Sequence, residues 1–122
     1  MKVLLVSGDV GLRLSLGMAL LKAGYALLEA LDCGHAWELL EREGAGLCVC
    51  DAELPGAPGL DLLARLRADP RFGRIPAILL AGEATTEERL RRYYSAGAIY
   101  CIEKPVDIQT FLLCVKALAL KS

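Results

Sequence analysis

Asp51 is the residue on which chemistry would turn. Leu47, Cys48, Val49 and Cys50, bounded by Gly46, read as a buried strand that stops at this one acid. Ligands bind beyond the carboxyl ends of the strands in an open parallel sheet, so a carboxylate placed there is a candidate nucleophile or metal ligand. It is equally an acid that only ends a strand. Glu53 stands two residues on, a spacing at which one acid could attack and the next protonate a leaving group. Cys48 and Cys50 alternate onto one strand face and, with His35, would offer three ligands to a soft metal; no fourth is apparent, and core packing is the simpler reading. Arg65, Arg67, Arg71 and Arg74 could attract phosphates or complement the dipole of a helix end.

The elements that must hold these residues alternate along the chain. Val3 to Val6 is an apolar strand, followed by a helix with the stripe Leu12, Leu16, Ala19 and Leu20 that ends at Gly24. Asp9 precedes the periodic residues and is placed to cap that helix. Tyr25 to Leu31 reads as a second strand, and Ala36, Leu39 and Leu40 lie on a second helix closed by Gly44 and Gly46. After Asp51, the residues Pro55, Gly56, Pro58 and Gly59 predict an irregular loop, then a helix carrying Leu60, Leu62, Leu63 and Leu66. Ile75 to Ala81 and Ala98 to Ile102 read as strands, separated by a charged helix that starts at Thr85 or Thr86 and stops at Gly97. A last helix runs from about Val106 to Leu120. Helical crossovers between successive strands predict a parallel α/β sheet covered on both faces.

With 122 residues, 55% of them hydrophobic, the chain has enough apolar material for one core and too little length for two, so a single domain over 1–122 is expected. A formal net charge of −1 gives no global attraction to nucleic acid or to an anionic membrane. Five cysteines in largely apolar runs suggest reduced, buried thiols, and the first apolar run is too short for a signal or a membrane span; a cytoplasmic protein is the expectation.

The segments VLLVSGD, GLCVCDAELPGAPGLDLLARLR, RIPAILLAG and SAGAIYCIEKPVD, taken together, resemble the receiver domain of two-component response regulators over nearly the whole chain. The resemblance implies a flavodoxin-like (βα)5 fold with strand order 2-1-3-4-5. It implies that Asp51 matches the carboxylate that accepts a phosphoryl group from a sensor histidine kinase, Lys104 the cation beside it, and the backbone carbonyl of Glu53 a metal ligand. Such chemistry is physically sensible: an anionic nucleophile approaches a phosphoryl group only if Mg²⁺ and a cation neutralise the repulsion. It also implies a cis peptide between Lys104 and Pro105.

The chain departs from that pattern within the chemistry itself. Ser7 and Gly8 stand where the family has two metal-binding acids, and Asp9 lies one position too far along. Ala81 replaces a Ser or Thr that would bond the phosphoryl oxygen, and Cys101 replaces an aromatic switch, with Tyr100 displaced to the opposite face. The expectation is therefore a degenerate pseudo-receiver, with no cofactor and with Lys104 paired directly to Asp51. Its alternative is a phosphorylatable receiver using Mg²⁺. A haloacid-dehalogenase-like phosphatase built on Asp51 and Glu53 lacks metal-binding acids. Beyond the stripe Ile108, Phe111, Leu112, Val115, Leu118 and Ala119, the last helix carries a second apolar set, Leu113, Ala117 and Leu120. With Arg89, Arg92, Tyr93 and Tyr100 as a rim, these are expected to form a surface for a protein partner or a homodimer across the fourth helix, fifth strand and fifth helix.

Overall fold

The computed structural model describes residues 1–120. Five parallel strands form the sheet: β1 (Lys2–Val6), β2 (Ala26–Ala30), β3 (Leu47–Asp51), β4 (Ala77–Ala81) and β5 (Tyr100–Glu103). The helices between and after them are α1 (Val10–Lys22), α2 (Cys33–Glu43), α3 (Gly59–Ala68), α4 (Glu87–Ser95) and α5 (Ile108–Ala119). The strand order is 2-1-3-4-5, the doubly wound flavodoxin-like order expected above.

Alternation along the strands divides the interior into two cores. Leu4, Val6, Cys48, Cys50 and Leu79 point toward α2 and α3, where Trp37, Leu40, Leu62 and Leu66 cover them. Val3, Leu5, Val49, Ile78 and Leu80 point the other way, against Leu16 and Leu20 of α1 and Phe111, Val115 and Leu118 of α5. Because β1, β3 and β4 are apolar on both faces, all three are central, as near-continuous apolar runs require.

Side-chain caps set where the helices begin. Asp9, Asp32, Thr86 and Asp107 each accept a hydrogen bond from the backbone three residues on, at 3.1, 2.8, 3.2 and 2.9 Å, a contact generally worth about 1 kcal/mol. Asp107 explains why the last helix begins at Ile108 rather than Val106. The strand after Gly97 begins at Tyr100 rather than Ala98, because the N–H of Ala98 is used at the helix end by the carbonyl of Tyr93.

The arginines expected at a solvated helix end are mostly committed within the fold. Arg67 donates to the carbonyls of Gly73, Ile75 and Gly97 at 3.2, 2.6 and 2.8 Å, tying the loop before β4 to the turn before β5. Arg65 lies 4.0 Å over the ring of Trp37, and Arg71 pairs with Asp69 and Glu41. The loop after Asp51 is more ordered than expected: Glu53–Leu54 and Ala57–Pro58 pair as a short antiparallel hairpin with Gly56 at positive φ.

Candidate functional site

The carboxyl ends of β1, β3 and β4 and the residue after β5 converge on Asp51, which is 2% exposed. Its Oδ1 accepts from the Nζ of Lys104 at 2.8 Å and from the N–H of Glu53 at 3.1 Å. Its Oδ2 accepts from the Oγ of Ser7 at 3.0 Å. Lys104 is anchored by its own N–H, which donates to the carbonyl of Ala81 at 2.9 Å, and the Lys104–Pro105 peptide is cis. Ser7 is fully buried; its N–H donates to Ala30 and its Oγ also accepts from the N–H of Asp9. Each group is thus fixed by a strand end, and the carboxylate holds three donors.

A second constraint closes the pocket from above. A side chain at Gly8 would begin 2.7 Å from Cγ and 2.8 Å from Cδ of Pro55, the tip of the hairpin that follows Asp51. Only glycine fits beneath that ring. Gly59 plays the matching part below, since a Cβ there would overlap the carbonyl oxygen of Asp51, and its N–H donates to Ala52 at 2.9 Å. The helix α3 therefore starts directly against the end of β3.

These residues do not fit a divalent cation such as Mg²⁺, which wants several hard oxygen ligands in octahedral geometry. The positions facing Asp51 carry a hydroxyl and a glycine, the Pro55 ring covers Gly8, and Asp9 is spent on the N-cap of α1. Among the described residues, no group of three His, Cys, Asp or Glu side chains is placed to hold a metal. Glu53 meets Asp51 through its backbone N–H, while its side-chain carboxylate lies beside Gly82 at the end of β4. Cys48 and Cys50 lie on one core face, where burial pushes the Cys48 thiol up to about 12 and raises Cys50 well above its ordinary value; they pack as neutral thiols.

Ala81 is fully buried at the end of β4 and offers no side-chain donor. Cys101 packs on the core face shared with α2 and α3, whereas Tyr100 packs on the opposite face with α5. The expected rim divides in two. Arg89, Arg92 and Tyr93 line a cavity of about 100 Å³ with Ala52, Pro58 and Leu60, on the side of α4 that faces α3. Leu113, 68% exposed, and half-buried Ala117 lie on α5 instead, with Leu120, 77% exposed, at its C-cap. Residues 89, 92 and 93 share one helical face, which lines that cavity against Pro58 and Leu60. The residue of α4 that reaches toward the edge is Tyr94, whose hydroxyl accepts from the N–H of Cys101 at 3.2 Å.

Two contacts at the site escaped the sequence. Ser7 figures there only as a lost acid, yet its hydroxyl is a direct partner of Asp51. Tyr94 carried only the weak signal of an aromatic on a charged helix shortly before an edge strand.

Comparison with known proteins points to a family. Its sequence model, the response regulator receiver domain, matches residues 3–116. The chain is 30% identical over 114 residues to the ycf29 protein of Cyanophora paradoxa, covering 93% of this chain and 54% of that one. It is 28% identical over 122 residues to sporulation initiation phosphotransferase F of Bacillus subtilis, covering 99% and 96%. It spans about half of several other relatives, such as 46% of response regulator Rre1 of Synechocystis. Among solved structures, the non-phosphorylated HemR receiver domain of Leptospira biflexa superposes with a TM-score of 0.83 at 29% identity, covering 96% of this chain and 92% of that one. Chemotaxis response regulator CheY4 of Vibrio cholerae, at 22% identity, shares the fold with a TM-score of 0.88.

Proposed function

From a chain that belongs to the response regulator receiver family, we propose a signalling module of two-component type that works by protein interaction, with phosphorylation at Asp51 impaired or absent. The observation that carries this reading is the closure of the pocket. Both oxygens of Asp51 are engaged by Lys104, Ser7 and a backbone N–H, and Pro55 covers the glycine where a metal-binding acid would stand. An attacking carboxylate must give up part of that set, and no metal charge is available to offset the repulsion of the incoming phosphoryl group. Ala81 withdraws a further contact from the transferred group.

The interaction surface proposed is the edge formed by α4, β5 and α5, as a docking or dimer interface that does not depend on phosphorylation. Leu113 and Leu120 support it, being large apolar side chains open to solvent on one helix. Arg89, Arg92 and Tyr93 extend the surface around α4 toward α3 and form its polar flank.

A second reading is favoured by one observation: Asp51 and Lys104 stand together in the arrangement that phosphotransfer from a histidine kinase would use. Incubation with acetyl phosphate and Mg²⁺, followed by intact mass measurement at neutral pH, separates the two. The expected outcome is no stoichiometric phospho-adduct on the parent chain. A Ser7→Asp/Gly8→Asp variant should bind Mg²⁺ only when Pro55→Gly accompanies it, because the aspartate at 8 needs the space of the ring. Rapid, stoichiometric modification of Asp51 in the parent would overturn the pseudo-receiver reading.

A further inference from the structure

The charges of α4 are paired along the helix with one exception. Arg91 meets Glu87 at 2.8 Å and Arg92 meets Glu88 at 3.7 Å, both at the four-residue spacing that brings side chains together on a helix. Arg89 is left over. The residues four before and four after it are Thr85 and Tyr93, and among the described residues its side chain has no hydrogen bond or ion pair. Arg89 and Arg92 line the cavity of about 100 Å³ between α3 and α4, whose other walls are Ala52, Pro58, Leu60 and Tyr93. Three residues apart on one helical face, the two guanidinium groups repel each other. No acid lines the cavity with them. The Arg92–Glu88 pair is long and largely open to water on both sides, so it does little to neutralise that face. The hydroxyl of Tyr93 also has no partner among the described residues.

A doubly charged oxyanion satisfies this set. A carboxylate would balance one arginine and leave the other uncompensated, whereas a phosphate dianion carries charge for both and offers several oxygens to their forked N–H groups. Size selects in the same direction. The cavity holds about as much as three waters at roughly 30 Å³ each, enough for a phosphate group and too little for a nucleobase. Ala52, Pro58 and Leu60 supply apolar walls, beside which a charge-assisted hydrogen bond is stronger than in open water.

We infer that the cavity between α3 and α4 is a binding site for a phosphate group, either free phosphate or the end of a small phosphomonoester, held by Arg89 and Arg92 with Tyr93. The site goes beyond the docking reading above, in which these residues are only a polar flank. It does not depend on whether Asp51 accepts a phosphoryl group.

An amide NMR titration with inorganic phosphate tests this, at constant ionic strength and with a chelator present so that no divalent cation can draw phosphate to Asp51. Shifts that saturate in the millimolar range or below should centre on Ala52, Leu60, Arg89, Arg92 and Tyr93. Arg89→Gln and Arg91→Gln each remove one positive charge from α4 at an exposed position and introduce a good helix former, so both should fold, which the same spectra verify. Arg89→Gln should weaken phosphate binding by roughly 10-fold or more, the worth of a charged hydrogen bond, while Arg91→Gln should leave it nearly unchanged. Acetate should bind at least roughly 10-fold more weakly than phosphate, since it can satisfy only one of the arginines. A parallel titration with glycerol phosphate distinguishes the sources: tighter binding than inorganic phosphate identifies the end of a small phosphomonoester, and equal or weaker binding identifies free phosphate. Shifts that do not saturate, shifts centred elsewhere, equal losses in the two arginine variants, or acetate binding as well as phosphate would each overturn the inference.

Discussion

The pocket at the strand ends and the outer surface of α1 and α5 are opposites. In the pocket the polar groups find partners within the chain: a buried carboxylate holds an ammonium, a hydroxyl and a backbone N–H, and a proline ring fills the space above. On the helices, apolar groups find none, and Leu14, Met18, Leu113 and Leu120 each leave more than half of their surface to water. A buried polar group costs stability when unsatisfied, whereas an exposed apolar group gains when covered. The first region therefore resists change and the second invites a partner. That contrast gives different signs to substitutions in the two places.

The strongest way to break the contrast is to remove the cation. Lys104→Ala leaves Asp51 buried with only a hydroxyl and an N–H, and urea unfolding should show a loss of about 3 kcal/mol, near the lower end for a broken buried pair because Lys104 is partly exposed. A loss below about 1 kcal/mol would mean that the pair is not what holds the strand ends together.

A smaller effect tests the strand beneath the pocket. Cys48, pushed up to about 12 by burial from an ordinary value of 9.0, must remain protonated in the folded state, while the unfolded chain ionises above pH 9. Its contribution is therefore fully present below pH 9 and is lost as pH rises toward 12. By pH 10 the loss should be on the order of 1 kcal/mol for this thiol. Cys50 is shifted in the same direction and adds to it. Cys48→Ala should flatten the dependence of stability on pH in this window, at the cost of a small cavity. A parent whose stability is level from pH 8 to pH 11 would show that these thiols are not shielded.

The smallest expected change in stability lies on the outer surface. Leu113→Asp should alter unfolding by less than about 0.5 kcal/mol, since the side chain lies outside the core. It should nevertheless abolish capture of a docking partner, whereas Asp51→Ala should leave capture intact. The reverse result, measured by pull-down with both variants, would return the function to the pocket.

Much of this was legible in the residue order. Apolar runs and helical stripes located the five strands and five helices, because each is a local pattern carried over four to thirteen residues. Asp51 stood out because one acid ends an apolar run. The fit of Pro55 over Gly8, the three carbonyls on Arg67 and the hydroxyl of Ser7 on Asp51 were not legible. Each joins residues between 6 and 47 positions apart through distances of a few ångströms, which no periodicity encodes. The split of Arg89, Arg92 and Tyr93 from Leu113 was hidden for the same kind of reason: spacing places residues on a common face but does not say which neighbour that face meets.

The hydroxyl of Tyr94 on the N–H of Cys101 has a consequence for how copies of the chain can meet. β5 is an outer strand of the sheet, and an outer strand offers a row of backbone groups onto which another chain can add itself, a route to open-ended stacking. A phenol lying on that row occupies one donor and sets an aromatic ring beside the strand. Sheet-to-sheet growth is thereby obstructed at that point of the edge, whereas contacts between two copies through helix surfaces can close on themselves and stop at a pair.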